Sequence, residues 1–261
     1  MQRLFFFILP PLVGVYSQLN NNLEQQATLL FRSMFVDFSS SDRTDLVKTK
    51  FGAIPSSYSI VKNGELPIEV TDYVANGSFA SLKANVTLYQ QRNYAYFIRN
   101  TDLKTGTFEV FVDKHSYDFL AKSRLFGGEI IISNVGDVGS VFLCPKLDQP
   151  MTLGNNIIMI RPKKEELQYY LYVWFKWSYG QALIQAIKGG SAQPKFNKTD
   201  FKSLDIIIPT DADLCRYHEL AKPLFDMIAS NDAEIKKLIQ MRDALLPKLM
   251  SGDLDISSVK I

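Results

Sequence analysis

A seven-residue apolar repeat near the C-terminal end constrains the fold of this chain most. From residue 224 to residue 249, the repeat positions alternate steps of four and three, which is the spacing of a helix that buries one stripe against another helix. Two positions hold Asn231 and Arg242; an asparagine there fixes helix register at a cost in stability. Pro223 and Pro247 predict a kink or boundary at each end. The predicted seam residues are Leu224, Ile228, Asn231, Ile235, Leu238, Leu245 and Leu249.

The N-terminal region predicts a second amphipathic helix. Apolar residues from Tyr16 to Met34 recur at steps of three or four, and the serines at 39–41 favour a stop. The preceding apolar run, residues 4–15, has the length of a signal-peptide core but is too short to span a bilayer. Pro10 and Pro11 interrupt it, and the helical pattern that follows argues against a cleaved leader.

Between these helical ends the pattern changes to short β-type runs separated by glycines. Runs rich in β-branched and aromatic residues predict strands at 94–98, 108–112, 129–133, 139–144, 156–160 and 204–208, and residues 164–187 predict one helix. The fold class is therefore α+β, a globular domain flanked by long helices that form an antiparallel coiled-coil-like spacer. We expect an N-terminal helical region at 1–38, a linker at 39–64, the globular domain at 65–209, a C-terminal helix at 210–252 and a tail at 253–261.

The composition excludes several classes of protein. Of 261 residues, 46% are hydrophobic and 21% are charged, which is typical of a folded chain rather than a disordered one. Two cysteines and two histidines, which are scattered along the chain, are too few for a disulfide scaffold or a structural zinc site. Reduced thiols and a cytoplasmic location fit best, and no metal ligand set can be named.

The sequence contains no motif typical of an enzyme active site. The nucleophile elbow, the nucleotide phosphate loop and the zinc-protease helix motif are all absent from the sequence. Glu165 and Glu166 are adjacent, so they point to different faces of a helix and suit its first turn. The glycine-flanked segment 136–139 lies between two predicted strands, which indicates a hairpin turn rather than an anion-binding loop. No catalytic residue is predicted.

Charge is distributed unevenly along the chain. The whole sequence carries a net charge of +2, whereas residues 83–202 carry +6 and the remainder carries −4. A mixed-charge solvated surface is one explanation, and the sequence favours it less than a functional one. The functional alternative is a surface that binds nucleic-acid phosphates and reads base edges with polar side chains.

Two segments combine cations with the side chains that read bases. Residues 188–198 hold two glycines, Ser191, Gln193 and three lysines, although a plain polar loop would have a similar composition. Residues 99–104 follow the aromatic strand and hold Arg99 and an asparagine. The candidate contact residues for nucleic acid are Lys83, Arg99, Lys104, Asn134, Lys188, Ser191, Gln193, Lys195 and Lys198.

Five segments together resemble the specificity subunit of type I restriction-modification systems. The segment Ala233 to Ile256, AEIKKLIQMRDALLPKLMSGDLDI, is similar to the helical region that ends those subunits. The segment Gly189 to Pro209, GGSAQPKFNKTDFKSLDIIIP, resembles the end of a target recognition domain. The others are LEQQATLLFRSMFVDF from Leu23, GGEIIISNVGDVGSVFLC from Gly127 and GNNIIMIRP from Gly154.

The resemblance implies a non-catalytic protein that reads double-stranded DNA. In this family each target recognition domain, here 65–209, reads one half of a bipartite DNA sequence, and the helices dock modification (methyltransferase) subunits. Those subunits bind S-adenosylmethionine, so no cofactor is expected in this chain, and motor-nuclease subunits join them for cleavage. No membrane association is implied.

The chain differs from a typical family member, which carries two recognition domains. It resembles half a subunit, so we expect a homodimer joined through the helix seam. Three alternatives stay open. The chain could be a truncated or phase-variable product, a helical protein-protein adaptor that does not bind DNA, or a secreted hydrolase if the N-terminal apolar run is cleaved.

Overall fold

The computed structural model describes the backbone of residues 2–38, 45–190 and 193–251. It describes the side chains of the same residues apart from 2–11, 249 and 250. The chain divides into a helical unit, Met1–Asp37 with Glu219–Ile261, and a globular unit, Phe38–His218. The helices are α1 (Gln2–Phe35), α2 (Phe79–Asn85), α3 (Asn100–Thr105), α4 (Lys114–Phe119), α5 (Glu166–Lys176), α6 (Ser178–Ala186), α7 (Lys198–Lys202) and α8 (Asp211–Ser251).

Most strands of the globular unit belong to two mixed or antiparallel sheets. The strands are β1 (Leu46–Thr49), β2 (Gly52–Pro55), β3 (Ser59–Lys62), β4 (Ile68–Asp72), β5 (Leu88–Tyr89), β6 (Ala95–Ile98), β7 (Phe111–Val112), β8 (Arg124–Leu125), β9 (Ile130–Ser133), β10 (Val141–Leu143), β11 (Met151–Leu153), β12 (Ile157–Pro162) and β13 (Asp205–Ile208). One sheet has the antiparallel order β10-β9-β12-β4. The other has the order β5-β7-β6-β11-β8, in which β11 and β6 are parallel.

The two sheets share one apolar core. Because successive side chains of a strand point to opposite faces, β6 of the five-stranded sheet packs on this core with one face and on a second cluster with the other. On one face of β6, Tyr96 and Ile98 join Ile131 and Met159 of the four-stranded sheet. On the other face, alternate residues of β6 pack with Leu82 of α2 and with buried residues before and after α4. Helix α5 packs on β9, β10 and β12 of the four-stranded sheet. The α+β class predicted from the sequence is confirmed, with long helices at both ends.

A buried carboxylate fixes the turn that connects β8 to β9. The Glu129 side chain is 3% exposed and lies 3.1 Å from the Arg161 guanidinium, which also bonds Glu69 at 2.6 Å. Its oxygens accept the backbone N–H groups of Phe126 and Gly127 at 2.8 and 2.9 Å. A buried charge is tolerated when it is paired and hydrogen-bonded in this way.

The predicted linker at 39–64 is wrong over the part that the structure describes. Residues 45–64 contain β1, β2 and β3 instead. The first two form a local antiparallel pair, and β3 pairs with β13 from Ser59↔Ile208 to Lys62↔Asp205. Because the partner of β3 lies about 145 residues away along the chain, local sequence pattern gives no sign of this strand. The globular unit accordingly begins at residue 38 rather than 65, and it extends to 218 rather than 209.

Prolines do not bound the helices as predicted. Pro223 and Pro247 lie inside α8, and α1 begins at Gln2 and passes through both Pro10 and Pro11. Each proline removes one backbone donor, but the hydrogen bonds on either side maintain the helix. Between the two elements predicted as one helix at 164–187, Trp177 has an extended backbone that separates α5 from α6. The predicted tail, 253–261, lies outside the described residues.

Within the helical unit, α1 and α8 are joined by polar contacts. The Asn231 amide donates to the Asn20 side-chain oxygen at 2.7 Å, and the Asn20 amide donates to Asp232 at 2.7 Å. Asn231 is 8% exposed, so its polar side chain is buried with a partner. Leu23, Ala27 and Met34 are buried on α1, as the three- and four-residue steps predict, and Phe31, which those steps do not include, is buried with them.

Candidate nucleic-acid interface

Three segments that are distant in sequence meet on one face of the globular unit. They are residues 100–104 of α3, the turn 134–140 between β9 and β10, and the loop residues 188–190 and 193–196; together we call them the turn surface. Lys104 Nζ lies 2.6 Å from an Asp137 carboxylate oxygen. The Gly136 N–H donates to the Pro194 carbonyl at 2.9 Å, so the turn contacts both other segments directly.

Helix α6 supports the turn with two glutamines. The Gln181 amide donates to the Gly139 carbonyl at 2.8 Å and to the Phe175 carbonyl at 2.6 Å. The Gln185 amide donates to the Val138 carbonyl at 3.5 Å. Gly139 has φ of +101°, and a Cβ there would lie 3.0 Å from Gln181 Oε1, so the turn requires glycine at this position.

Asp137 is a half-exposed carboxylate in the middle of the turn surface. Its side chain is 44% exposed and that of Lys104 is 46% exposed. The Ser140 hydroxyl also donates to Asp137 at 2.5 Å. The Lys104 ammonium, and then the Ser140 hydroxyl, lower the pKa of Asp137 below its usual value, so the carboxylate is ionised throughout the neutral range.

The loop of the turn surface is closed by its own backbone. Gly189 and Lys195 exchange two backbone hydrogen bonds, at 2.8 and 2.9 Å. Gly190 has φ of +89°, a conformation that suits glycine. Gln193 and Lys195 are exposed there, and Lys195 has no ion-pair partner among the described residues. Lys188 is also exposed and donates to the Gln185 side chain.

Four of the predicted contact residues lie on the turn surface with free or partly free head groups. They share exposure to solvent and positions on the three converging segments: Lys104, Lys188, Gln193 and Lys195. Ser191, which was predicted with them, lies outside the described residues.

The remaining predicted cations are placed differently. Arg99 makes a bidentate contact with Asp102, whose side chain is 3% exposed. Lys198 bonds Asp72, which is 13% exposed, at 2.9 Å. Lys83 is exposed on α2, a helix that is not part of the turn surface. The charges of Arg99 and Lys198 are thus matched within the chain.

Asn134 joins two parts of the turn surface instead of projecting from it. Its side-chain amide donates to the Phe196 carbonyl at 3.2 Å, and the Phe196 N–H donates to the Asn134 carbonyl at 3.0 Å. Its side-chain oxygen is buried without a hydrogen-bond partner in the structure. Asn134 is therefore in position to hold the loop rather than to reach a base edge.

Sequence analysis missed Gln181, Gln185 and Lys176. The glutamines lie on a helix and contact residues more than forty positions away, so only their spacing of four on one helix face was available as a signal. Lys176 lines a shallow depression beside the turn together with Lys104, Ser140, Phe142 and Gln181. Lysines and a hydroxyl around an open depression can hold a phosphate group.

The predicted seam residues lie in α8, in the part that belongs to the helical unit. Asn231 is buried, and Leu224, Ile228, Ile235, Leu238 and Leu245 are half-buried. The side chain of Leu249 lies outside the described ones. Because Asn231 bonds Asn20 of the same chain, at least this seam position packs on α1.

A model of the family described as "Type I restriction modification DNA specificity domain" matches residues 44–240. The match covers all of the turn surface and most of the chain, so the chain belongs to this family. Its members are specificity subunits, which are non-catalytic components of restriction-modification complexes.

Two curated relatives are similar to this chain. One, the "Type I restriction enzyme MjaIX specificity subunit" of Methanocaldococcus jannaschii, is 26% identical over 251 residues, covering 92% of this chain and 55% of the relative. The other, the "Type I restriction enzyme HindI specificity subunit" of Haemophilus influenzae, is 28% identical over 138 residues, covering 52% of this chain and 29% of the relative. The chain therefore spans about half the length of the first relative, and its match covers less than a third of the second.

A solved structure shares the fold. The S subunit of a type I restriction-modification system from M. genitalium superposes with a TM-score of 0.56 at 15% identity, covering 93% of this chain and 57% of that chain. In the described part of this chain, no group of histidine, cysteine or acidic side chains is arranged to hold a metal ion. A search of the same residues for a helix of sufficient length and hydropathy to cross a membrane found none.

Proposed function

We propose that this chain is the DNA-recognition subunit of a type I restriction-modification enzyme. The globular unit reads one half of a bipartite target, and the helices dock modification (methyltransferase) subunits. Those subunits supply the methyl donor S-adenosylmethionine, and motor-nuclease subunits join for cleavage. The complex acts on double-stranded DNA in the cytoplasm.

The convergence of the turn surface carries this proposal. Three lysines and an exposed glutamine come from separate parts of the sequence onto one face, where Gln181 and Gln185 hold the turn from α6. Lysines that bind phosphates position a protein on a duplex, and rigid polar groups between them can read base edges in the major groove. Of the residues predicted from sequence, Lys104, Lys188, Gln193 and Lys195 are the contacts that this geometry favours.

Other predicted residues take supporting roles in the proposal. Asn134 positions the loop. Arg99 and Lys198 hold α3 and α7 through Asp102 and Asp72, which are 3% and 13% exposed. They contribute less to phosphate binding than Lys104, whose partner Asp137 is half-exposed. Lys83 and Ser191 stay as candidate phosphate and base contacts at the edge of the face.

Two copies would form the functional unit. A bipartite DNA target needs two recognition domains, and the described residues of this chain hold one globular unit. A two-fold arrangement through the helices would place two equal globular units on the two half-sites. Asn231 bonds Asn20 of its own chain, so Asn231→Leu should act on such a dimer through the pairing of α1 with α8 and change the oligomeric state or the preferred half-site spacing in sedimentation and binding assays. An unchanged oligomer with unchanged spacing would reject the seam role of Asn231.

Selection of bound duplexes from a random pool tests the function. The chain, assembled with its methyltransferase subunits, is incubated with random DNA duplexes at fixed salt, and the bound duplexes are sequenced. We expect a bipartite consensus and preferential binding of that consensus over random duplexes. Stable assembly without any sequence preference would contradict DNA recognition and would favour a helical adaptor.

A further inference from the structure

We propose that Asp137 is a specificity-determining residue that accepts a hydrogen bond from the exocyclic amino group of a cytosine or an adenine in the half-site. The proposal rests on the proposed function and deepens it. Asp137 is the exposed acidic side chain of the turn surface, since Asp102 is buried. It pairs with Lys104 and lies two residues after Val135, which forms a bridge with Lys195. A surface that only attracted phosphates would gain nothing from a fixed negative charge at this position, because the carboxylate repels the DNA backbone.

The structure holds the carboxylate in place. The turn that carries it is bonded to α6 through Gln181 and Gln185 and to the loop through the Gly136 N–H. Ser140 and Lys104 both bond the same Asp137 oxygen, Oδ2. A carboxylate has about four acceptor sites, and Lys104, Ser140 and the Asn100 side chain occupy at most three of them, so one site can accept a further bond.

The chemistry of this pair matches base edges in the major groove. Cytosine presents its N4 amino group there and adenine presents its N6 amino group, and a carboxylate accepts from such groups. Lys104, 2.6 Å from the carboxylate, can donate to the guanine or thymine oxygen beside that amino group in the same base pair. A phosphate has no donor to offer, so the carboxylate opposes non-specific binding while it favours one base.

Asp137→Asn tests the proposal because Ser140 and Lys104 both donate to Oδ2 and would keep the amide oxygen there, so that an NH2 donor takes the place of Oδ1 and cannot accept from a base amino group. The full chain, assembled with its methyltransferase subunits, is used to select duplexes from a random pool, and affinities for selected and random duplexes are then measured over a range of salt concentrations. We expect discrimination at one half-site position to fall on the order of tenfold. Affinity for random duplexes should rise, and the salt slope should steepen by about one unit because no carboxylate then neutralises Lys104.

Asp118→Asn is the matched control. Asp118 is a half-exposed carboxylate on α4 that also bonds a lysine, Lys114, at 2.6 Å, and it lies outside the turn surface. Its substitution should leave the selected sequence unchanged. Thermal unfolding of both variants shows whether either has lost its fold, and Asp137→Glu, which keeps the charge, should retain more discrimination than Asp137→Asn if the fold is intact.

The outcomes separate this inference from the proposed function. If the unmodified chain selects a consensus and Asp137→Asn selects the same one with the same discrimination at every position, the role of Asp137 is overturned and DNA recognition stands. A loss spread equally over all positions also overturns it, because that result indicates a structural role. If the unmodified chain selects nothing, the proposed function itself fails.

Discussion

The globular and helical units differ in how completely they bury their apolar residues. In the globular unit, β9, β12 and α5 contain runs of side chains with almost no exposure. In the helical unit, seam residues such as Ile228 and Ile235 are half-buried, and large apolar residues are exposed on both helices: Leu12, Val15, Leu19, Leu29, Leu220, Met227 and Met241. The globular unit also exposes single apolar residues such as Phe79 and Phe126, but it is more than twice as long, so exposed apolar side chains are denser on the helical unit and leave area that a protein can cover.

The largest effect is expected inside the globular unit. Glu129→Ala leaves the Phe126 and Gly127 N–H groups without their acceptor and removes a carboxylate from the Arg161 guanidinium. Removing one partner of a buried ion pair costs about 3–5 kcal/mol in the free energy of unfolding, and we expect the lower end of this range because Arg161 keeps its pair with Glu69. Urea denaturation measures this change.

Lys114→Ala is the control for Glu129→Ala. It breaks an exposed pair with Asp118 in the same unit and should lower stability far less. Equal losses for the two variants would mean that burial does not set the strength of these pairs.

A smaller effect is expected in the helical unit. Asn231→Ala leaves the Asn20 side-chain oxygen without its donor, and the cost should be about 1 kcal/mol. A double-mutant cycle with Asn20→Ala isolates the coupling of the two side chains, since each single variant already removes their hydrogen bond. Additive losses would show that the two asparagines do not stabilise the pairing of α1 with α8.

The smallest effect concerns two lysines that the sequence pattern treats alike. Lys195→Ala should reduce the salt slope of DNA binding by about one unit, because its charge is available to a phosphate. Lys198→Ala should change the slope less, because Lys198 is paired with Asp72. Binding titrations at several salt concentrations compare the two variants, and equal slopes would contradict this distinction.

Sequence periodicity predicted a helix or strand wherever the apolar repeat within that element marks its buried face. The strands around Phe97, Ile131 and Met159 and the long terminal helices were predicted close to their observed places, because apolar repeats report burial directly. The strands β1, β2 and β3 were missed because each is only four residues long and shows no clear alternation of buried and exposed residues. The apolar repeat of α1 was read only from Tyr16, whereas the helix spans Gln2–Phe35, because the preceding run is apolar throughout and shows no repeat.

The sequence predicted which segments form the candidate site but not how they meet. Residue types indicated that residues 99–104, which include Lys104, and the 188–198 loop are polar and cationic. Nothing in the sequence indicated that the turn at Asp137 joins them, because that depends on contacts such as Gly136 with Pro194. Ion pairs between residues distant in sequence also decide which cations are available to a ligand. Lys198 pairs with Asp72, whereas Lys195 is exposed.

Site-specific crosslinking to a selected duplex tests most directly whether the turn surface faces DNA. A photoreactive side chain replaces Gln193 on the loop, and in a second variant it replaces Phe126, which is 61% exposed at the opposite end of β9 from the turn. The account predicts crosslinks from position 193 to bases within one half-site and few or none from position 126. Crosslinks from position 126 to the half-site, with none from position 193, would contradict it.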